Sequence, residues 1–165
     1  MTNLLALLDY DGVIINSINE KMFSGFNTYI SKNNDTRLFN SEKLTFTNFN
    51  DTIKTHKTLV DKFRSLVSFI GLAGENACAF EIIEKSKVLP NSIKEFKNSI
   101  DFYCNNSYDI YDELIRKTRK SFSQFNKNEF IYLSPPFYNI VDVIKKYSNQ
   151  ICFEIVTNKP IENVL

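Results

Sequence analysis

The sequence predicts an α/β chain: an incomplete open sheet of parallel strands interrupted by a large helical insert. Three observations predict it. Leu4-Leu5-Ala6-Leu7-Leu8-Asp9 is a short, continuously apolar run that meets Asp-Tyr-Asp-Gly abruptly, as a fully buried strand does. Ile151-Cys152-Phe153-Glu154-Ile155-Val156 is a second such run, followed by Thr157-Asn158-Lys159-Pro160. Between them, about a hundred residues carry helical rather than alternating periodicity.

Each element follows in order. In 18–31 the residues Ile18, Met22, Phe26 and Ile30 recur every four positions and share one helical face, with Gly25 as a weakening interruption. Residues 33–51 are polar and Asn-rich and read as a loop or a short irregular element. A helix over about 52–70 has Leu59, Phe63, Leu66, Val67 and Ile70 as its stripe, and Gly71 and Gly74 then break it. The helical pattern restarts over 75–88 and stops at Pro90, and Asn91 or Ser92 caps the next helix, over 93–104. Residues 109–125 form another. Phe130-Ile131-Tyr132-Leu133 reads as a short extended piece, and Ser134 caps a helix opened by Pro135 or Pro136 and striped by Ile140, Val141, Val143, Ile144 and Tyr147. Pro160 suits the first position of a last helix.

Composition excludes several classes. The 165 residues contain 43% hydrophobic residues, with 15 Phe, which is enough for a core and argues against disorder. Twenty Lys+Arg against nineteen Asp+Glu give a net charge of +1 with no long basic block, so no nucleic-acid partner is expected. The opening apolar run is too short to span a bilayer and lacks a basic preceding region, so no membrane partner is expected either. The cysteines Cys78, Cys104 and Cys152 are scattered and odd in number, which points to a reduced, cytoplasmic setting. The 20 Asn carry little functional weight.

Asp9 and Asp11 are the chemically informative pair. With Gly12 turning the backbone, both carboxylates can reach one edge of the sheet, where open α/β sheets place their sites. One can attack an electrophile while the other handles a proton, or the pair can hold a hard divalent cation. The alternative is an ordinary charged turn. Thr157 and the Asn158 amide can grip a phosphoryl oxygen, alone a weak signal and an informative one beside the two acids.

The segments Leu7-Leu8-Asp9-Tyr10-Asp11-Gly12-Val13-Ile14-Ile15-Asn16-Ser17 and Ile155-Val156-Thr157-Asn158-Lys159-Pro160 resemble two motifs of the haloacid dehalogenase-like (HAD) superfamily, in its phosphatase branch with an α-helical cap. The resemblance implies a Rossmann-like core, placed at 1–17 and 126–165, and a cap over 18–125. It implies an Mg²⁺-dependent phosphatase acting on a small phosphorylated metabolite, with Asp9 as nucleophile forming an aspartyl-phosphate. Asp11 would be the acid/base. Asp9 and Asp11 would bind the metal, and Thr157 and Asn158 the phosphoryl group. Arg64, in the cap, is a candidate substrate contact. The chain resembles only the N-terminal portion of such an enzyme. The family's downstream cation and acidic metal ligands have no counterpart after Thr157, and Lys159 lies too close to serve as that cation. The chain is therefore expected to be incomplete and inactive. A complementing C-terminal segment, or self-association through exposed sheet edges, would complete it. Two alternatives stay open: a phosphomutase of the same superfamily, and a non-catalytic remnant or protein-interaction domain. His56, the one histidine, is expected at the surface, and the Phe side chains of the middle region in a helical core.

Overall fold

Both apolar runs form strands, and they pair. In the computed structural model, which describes residues 4–157, β1 (Leu4–Asp9) lies parallel to β2 (Ile151–Val156), in a register that sets Leu4 against Ile151 and Asp9 against Val156. These are the two strands among the described residues, and their sheet is open on both sides. The rest is helical: α1 (Ile18–Lys32), a single tight turn at Leu38–Ser41, α2 (Phe49–Thr55), α3 (Lys57–Val67), α4 (Glu75–Lys85), α5 (Ile93–Tyr103), α6 (Tyr108–Phe125), α7 (Lys127–Tyr132) and α8 (Tyr138–Tyr147).

This overturns the α/β expectation. The described chain is a mainly helical bundle carrying a minimal two-stranded sheet, without the many-stranded Rossmann-like core of the HAD superfamily, and the resemblance to that superfamily falls with it. The physical reason is visible in the periodicity. Only two segments are apolar enough and short enough to be buried strands, and two strands cannot form a sheet that is stable by itself. Stability comes from the helices, whose apolar faces enclose the main core.

Helix α1 runs through the centre of that core and packs along α4 and α6. Met22, Phe23, Phe26, Tyr29 and Ile30 are buried on it, three of them from the expected four-residue stripe. Gly25 makes the α1–α4 approach possible. A Cβ there would lie 2.8 Å from both Cβ and the carbonyl oxygen of Asn76 on α4, so only a residue without one fits. Phe80 of α4 is the hub of an aromatic cluster. It stacks on Phe63 of α3 with centroids 4.7 Å apart, and meets Phe26 of α1 at 5.3 Å and Phe39 at 6.2 Å. Cys78 and Cys104 are also buried here.

Several local outcomes differ from expectation. Residues 130–133 are not extended: Phe130 to Tyr132 end α7, where Phe130 and Leu133, three apart, are both buried on one face. A four-residue apolar run does not distinguish a strand from a helical turn. Pro135 and Pro136 do not open a helix. The Asn16 N–H donates to the Pro135 carbonyl at 2.8 Å and the Phe137 N–H to the Ile14 carbonyl at 2.8 Å, so this stretch is stitched beside residues 14–16 and α8 begins at Tyr138. The expected 52–70 helix breaks at His56 into α2 and α3. His56 is half-buried, with its ring edge-on to Phe39 at 5.5 Å. Phe102, expected in the core, is exposed.

The turn at 38–41 places Phe39, Asn40 and Ser41 in the left-handed region, at φ 46°, 56° and 62°. Such a run is unfavourable for residues with a Cβ. It persists because Phe39 is buried between Phe26, Phe80 and His56.

Glu84 ties this turn to α1 and α4. Its carboxylate accepts from Thr36 Oγ1 and the Arg37 N–H, both at 2.8 Å, and from the Tyr29 hydroxyl in a short contact. Burial pushes the Glu84 carboxyl up. The hydrogen bonds from Tyr29, Arg37 and Thr36 outweigh it and hold the carboxyl below the usual range, while burial and Glu84 together push the Tyr29 hydroxyl up. A carboxyl depressed by folding contributes stability above its unfolded pKa and loses it as pH falls through the folded one. Glu84→Gln should therefore cost about 1 kcal/mol at pH 7, allowing for the partial exposure of the site. In urea titrations followed by circular dichroism, the gap to wild type should close as pH drops below the ordinary carboxylate range. A gap constant from pH 7 to pH 3 contradicts this assignment.

Candidate functional site

The strand ends and the turn after β1 form a small second cluster. Tyr10, Ile14 and Ile15 are buried together with Leu8 against them. Gly12 has φ 83°, which suits glycine, and its N–H donates to the Ile15 carbonyl at 2.8 Å. The Ile14 and Ile15 N–H groups both reach the Tyr10 carbonyl, at 3.1 and 3.0 Å. The chain thus doubles back directly after Asp9.

This geometry places the expected site residues as follows. Asp9 ends β1 and is exposed. Asp11 is half-buried in the turn, bridged through its backbone to Ile15. The parallel register sets Asp9 opposite Val156, so Thr157 follows at the same end of the sheet. Asn158 lies outside the described residues, as does the expected helix at Pro160. Arg64 is not drawn to this edge: it sits on α3, which packs on α1, α2 and α4, and its guanidinium is 3.8 Å from Asp61.

The phosphatase reading does not survive the fold. Its chemistry needs a many-stranded core to hold the groups that offset phosphoryl charge, and the sheet described here has two strands. Among the described residues, no group of three or more His, Cys, Asp or Glu side chains is arranged to hold a metal ion. The expectations of a metal-binding HAD-like hydrolase and of a related phosphomutase are therefore corrected together.

The sheet faces are what the sequence reading missed. Alternation and register put Leu5, Leu7, Asp9, Cys152, Glu154 and Val156 on one face. All six are exposed, Leu5 by 57%, Leu7 by 61% and Val156 by 57%. On the opposite face Ala6, Leu8, Ile151 and Phe153 are half-buried, with Leu4 and Ile155 exposed. Glu154 is the signal that was available: a charge in the middle of an otherwise apolar strand marks one face as different.

Buried ion pairs were equally illegible, because their partners are far apart in sequence. Glu20 on α1 accepts from Arg119 Nε on α6 at 2.7 Å and from Ser24 Oγ at 3.0 Å. Glu75 accepts the Gly71 and Leu72 N–H groups, at 2.7 and 3.1 Å, and pairs with Lys97 of α5. Both carboxylates are saturated by groups that fasten helices, and they serve packing.

No described helix is long and apolar enough to cross a membrane. Comparison with protein-family models, with curated proteins and with solved structures gave no match.

Proposed function

We propose that this chain is a non-catalytic helical domain that binds another protein through its two-stranded sheet. One observation carries the reading: a parallel pair whose Leu5 and Leu7 stand 57% and 61% exposed. Parallel strands occur with both faces covered, because their side chains are apolar on both sides. An apolar face on a parallel pair is therefore a surface that another element covers. The main helical core contains no residue of either strand and supports the sheet from outside it. In a reducing cytoplasm Cys78, Cys104 and Cys152 remain thiols, consistent with their scattered placement.

The test is site-specific photo-crosslinking in the cell that makes the protein, with the photoreactive residue at position 7 or, as control, at the exposed position 62 on α3. A discrete protein adduct is expected from position 7 and none from position 62. Leu5→Asp should reduce adduct yield about tenfold or more, since it buries a charge in the contact. Asp11→Asn should leave the yield unchanged. Absence of an adduct at position 7, or its loss on Asp11→Asn alone, defeats the reading.

A further inference from the structure

We infer that the occupant of the exposed sheet face is an amphipathic α-helix bearing two Lys or Arg residues one turn apart, which meet Asp9 and Glu154. This rests on the sheet being an interaction surface and names what fits it. Its apolar part is Leu5, Leu7, Cys152 and Val156, and among the described residues both charged residues on that face are acidic. The chain as a whole is nearly neutral, at +1, so the acidity belongs to this face and not to the molecule. Among the described residues, the side-chain carboxylates of Asp9 and Glu154 have no hydrogen-bond or ion-pair partner, and both residues are exposed.

The register fixes their relation. Glu154 lies opposite Leu7 and Asp9 opposite Val156, so the two acids are diagonal neighbours, about 8 Å apart from strand spacing and rise. Cations at i and i+4 of a helix emerge about 6 Å apart on flexible stems and span that diagonal. A helix is favoured over an added strand because faces of parallel sheets are covered by helices, whereas strands add at edges. An apolar stripe over Leu5, Leu7 and Val156 with a cationic rim satisfies both halves of the surface.

The experiment uses the full chain, ¹⁵N-labelled, and three peptides of about 18 residues. The first is helical with a leucine face and two rim lysines four apart. The second replaces those lysines by glutamates, and the third is an extended Val/Thr-rich peptide. The lysine peptide is expected to shift the amides of residues 5–9 and 152–156 and to bind about tenfold tighter than the glutamate peptide, the margin narrowing in high salt. Glu154→Lys, which leaves the face with one acid and one base, should abolish that preference. The peptide swap on wild-type protein stands as a test even if this variant folds poorly. Equal binding of the two helical peptides, or binding of the extended peptide alone, overturns the inference and leaves the interaction surface standing. If no peptide shifts those amides while position 7 still crosslinks, the helix is wrong and the surface is not. If neither happens, both fall.

Discussion

Replacing Phe80 by Ala is expected to destabilise the protein by about 3–5 kcal/mol, the range for removing a fully buried Phe and leaving a cavity. Phe80 is 0% exposed and is the one ring in contact with α1, α3 and the left-handed turn together, through Phe26, Tyr29, Phe63 and Phe39. Its loss removes two stacked contacts, one edge contact and one tilted contact at once, and the turn at 38–41 loses part of what offsets its strain. Since single domains are stable by only about 5–15 kcal/mol, the variant should sit near the edge of folding. Phe80→Leu, which refills most of the volume, should cost about half as much. Urea unfolding followed by circular dichroism measures both, and a Phe80→Ala midpoint indistinguishable from wild type contradicts the central role given to this ring.

Gly25→Ala is the second large effect, and its sign is informative. By helix propensity alone the change should stabilise by about 1 kcal/mol. The packing says the reverse. The new methyl carbon would lie 2.8 Å from the Asn76 carbonyl oxygen and 3.0 Å from its carbonyl carbon, backbone atoms of a helix that cannot swing aside. Separation of α1 from α4 along their contact is required, at a cost of about 1–3 kcal/mol or more, and Gly25→Val should cost still more. A stabilised Gly25→Ala protein would mean that α1 and α4 are farther apart than described.

The same glycine shows what was legible in the sequence. The α1 stripe at Ile18, Met22, Phe26 and Ile30 was readable because helical period is a local property, and so were the starts of α4 and α5. Both strands were readable from their short apolar runs and abrupt polar ends. Gly25 itself read only as a weak point, because the atom that forbids a side chain there belongs to residue 76. The left-handed turn and the Glu20–Arg119 and Glu75–Lys97 pairs escaped for the same reason: each is set by a partner distant in sequence.

The functional expectation failed at a different step. The strings around Asp9 and Thr157 located two strand ends and their adjacency, but a short string says nothing about how many strands flank it. An unbroken run such as Leu4–Leu8 predicts burial on both sides, whereas Leu5 and Leu7 face outward. Glu154 carried the contrary information and was outweighed by the four apolar residues that share its strand with it and Cys152.

The register of β1 on β2 joins residues near opposite ends of the sequence, Asp9 to Val156 and Leu4 to Ile151. On a ribosome adding about 5–20 residues per second, β1 is made roughly 7–30 seconds before its mate. During that interval the helices can collapse around Phe80 while Leu-Leu-Ala-Leu-Leu dangles unmatched, a segment of the kind that chaperones bind and that nascent neighbours on a polysome stick to. The sheet thus closes after the helices between its strands, and the yield of folded chains should respond to translation speed more sharply than the helical core's own stability would suggest.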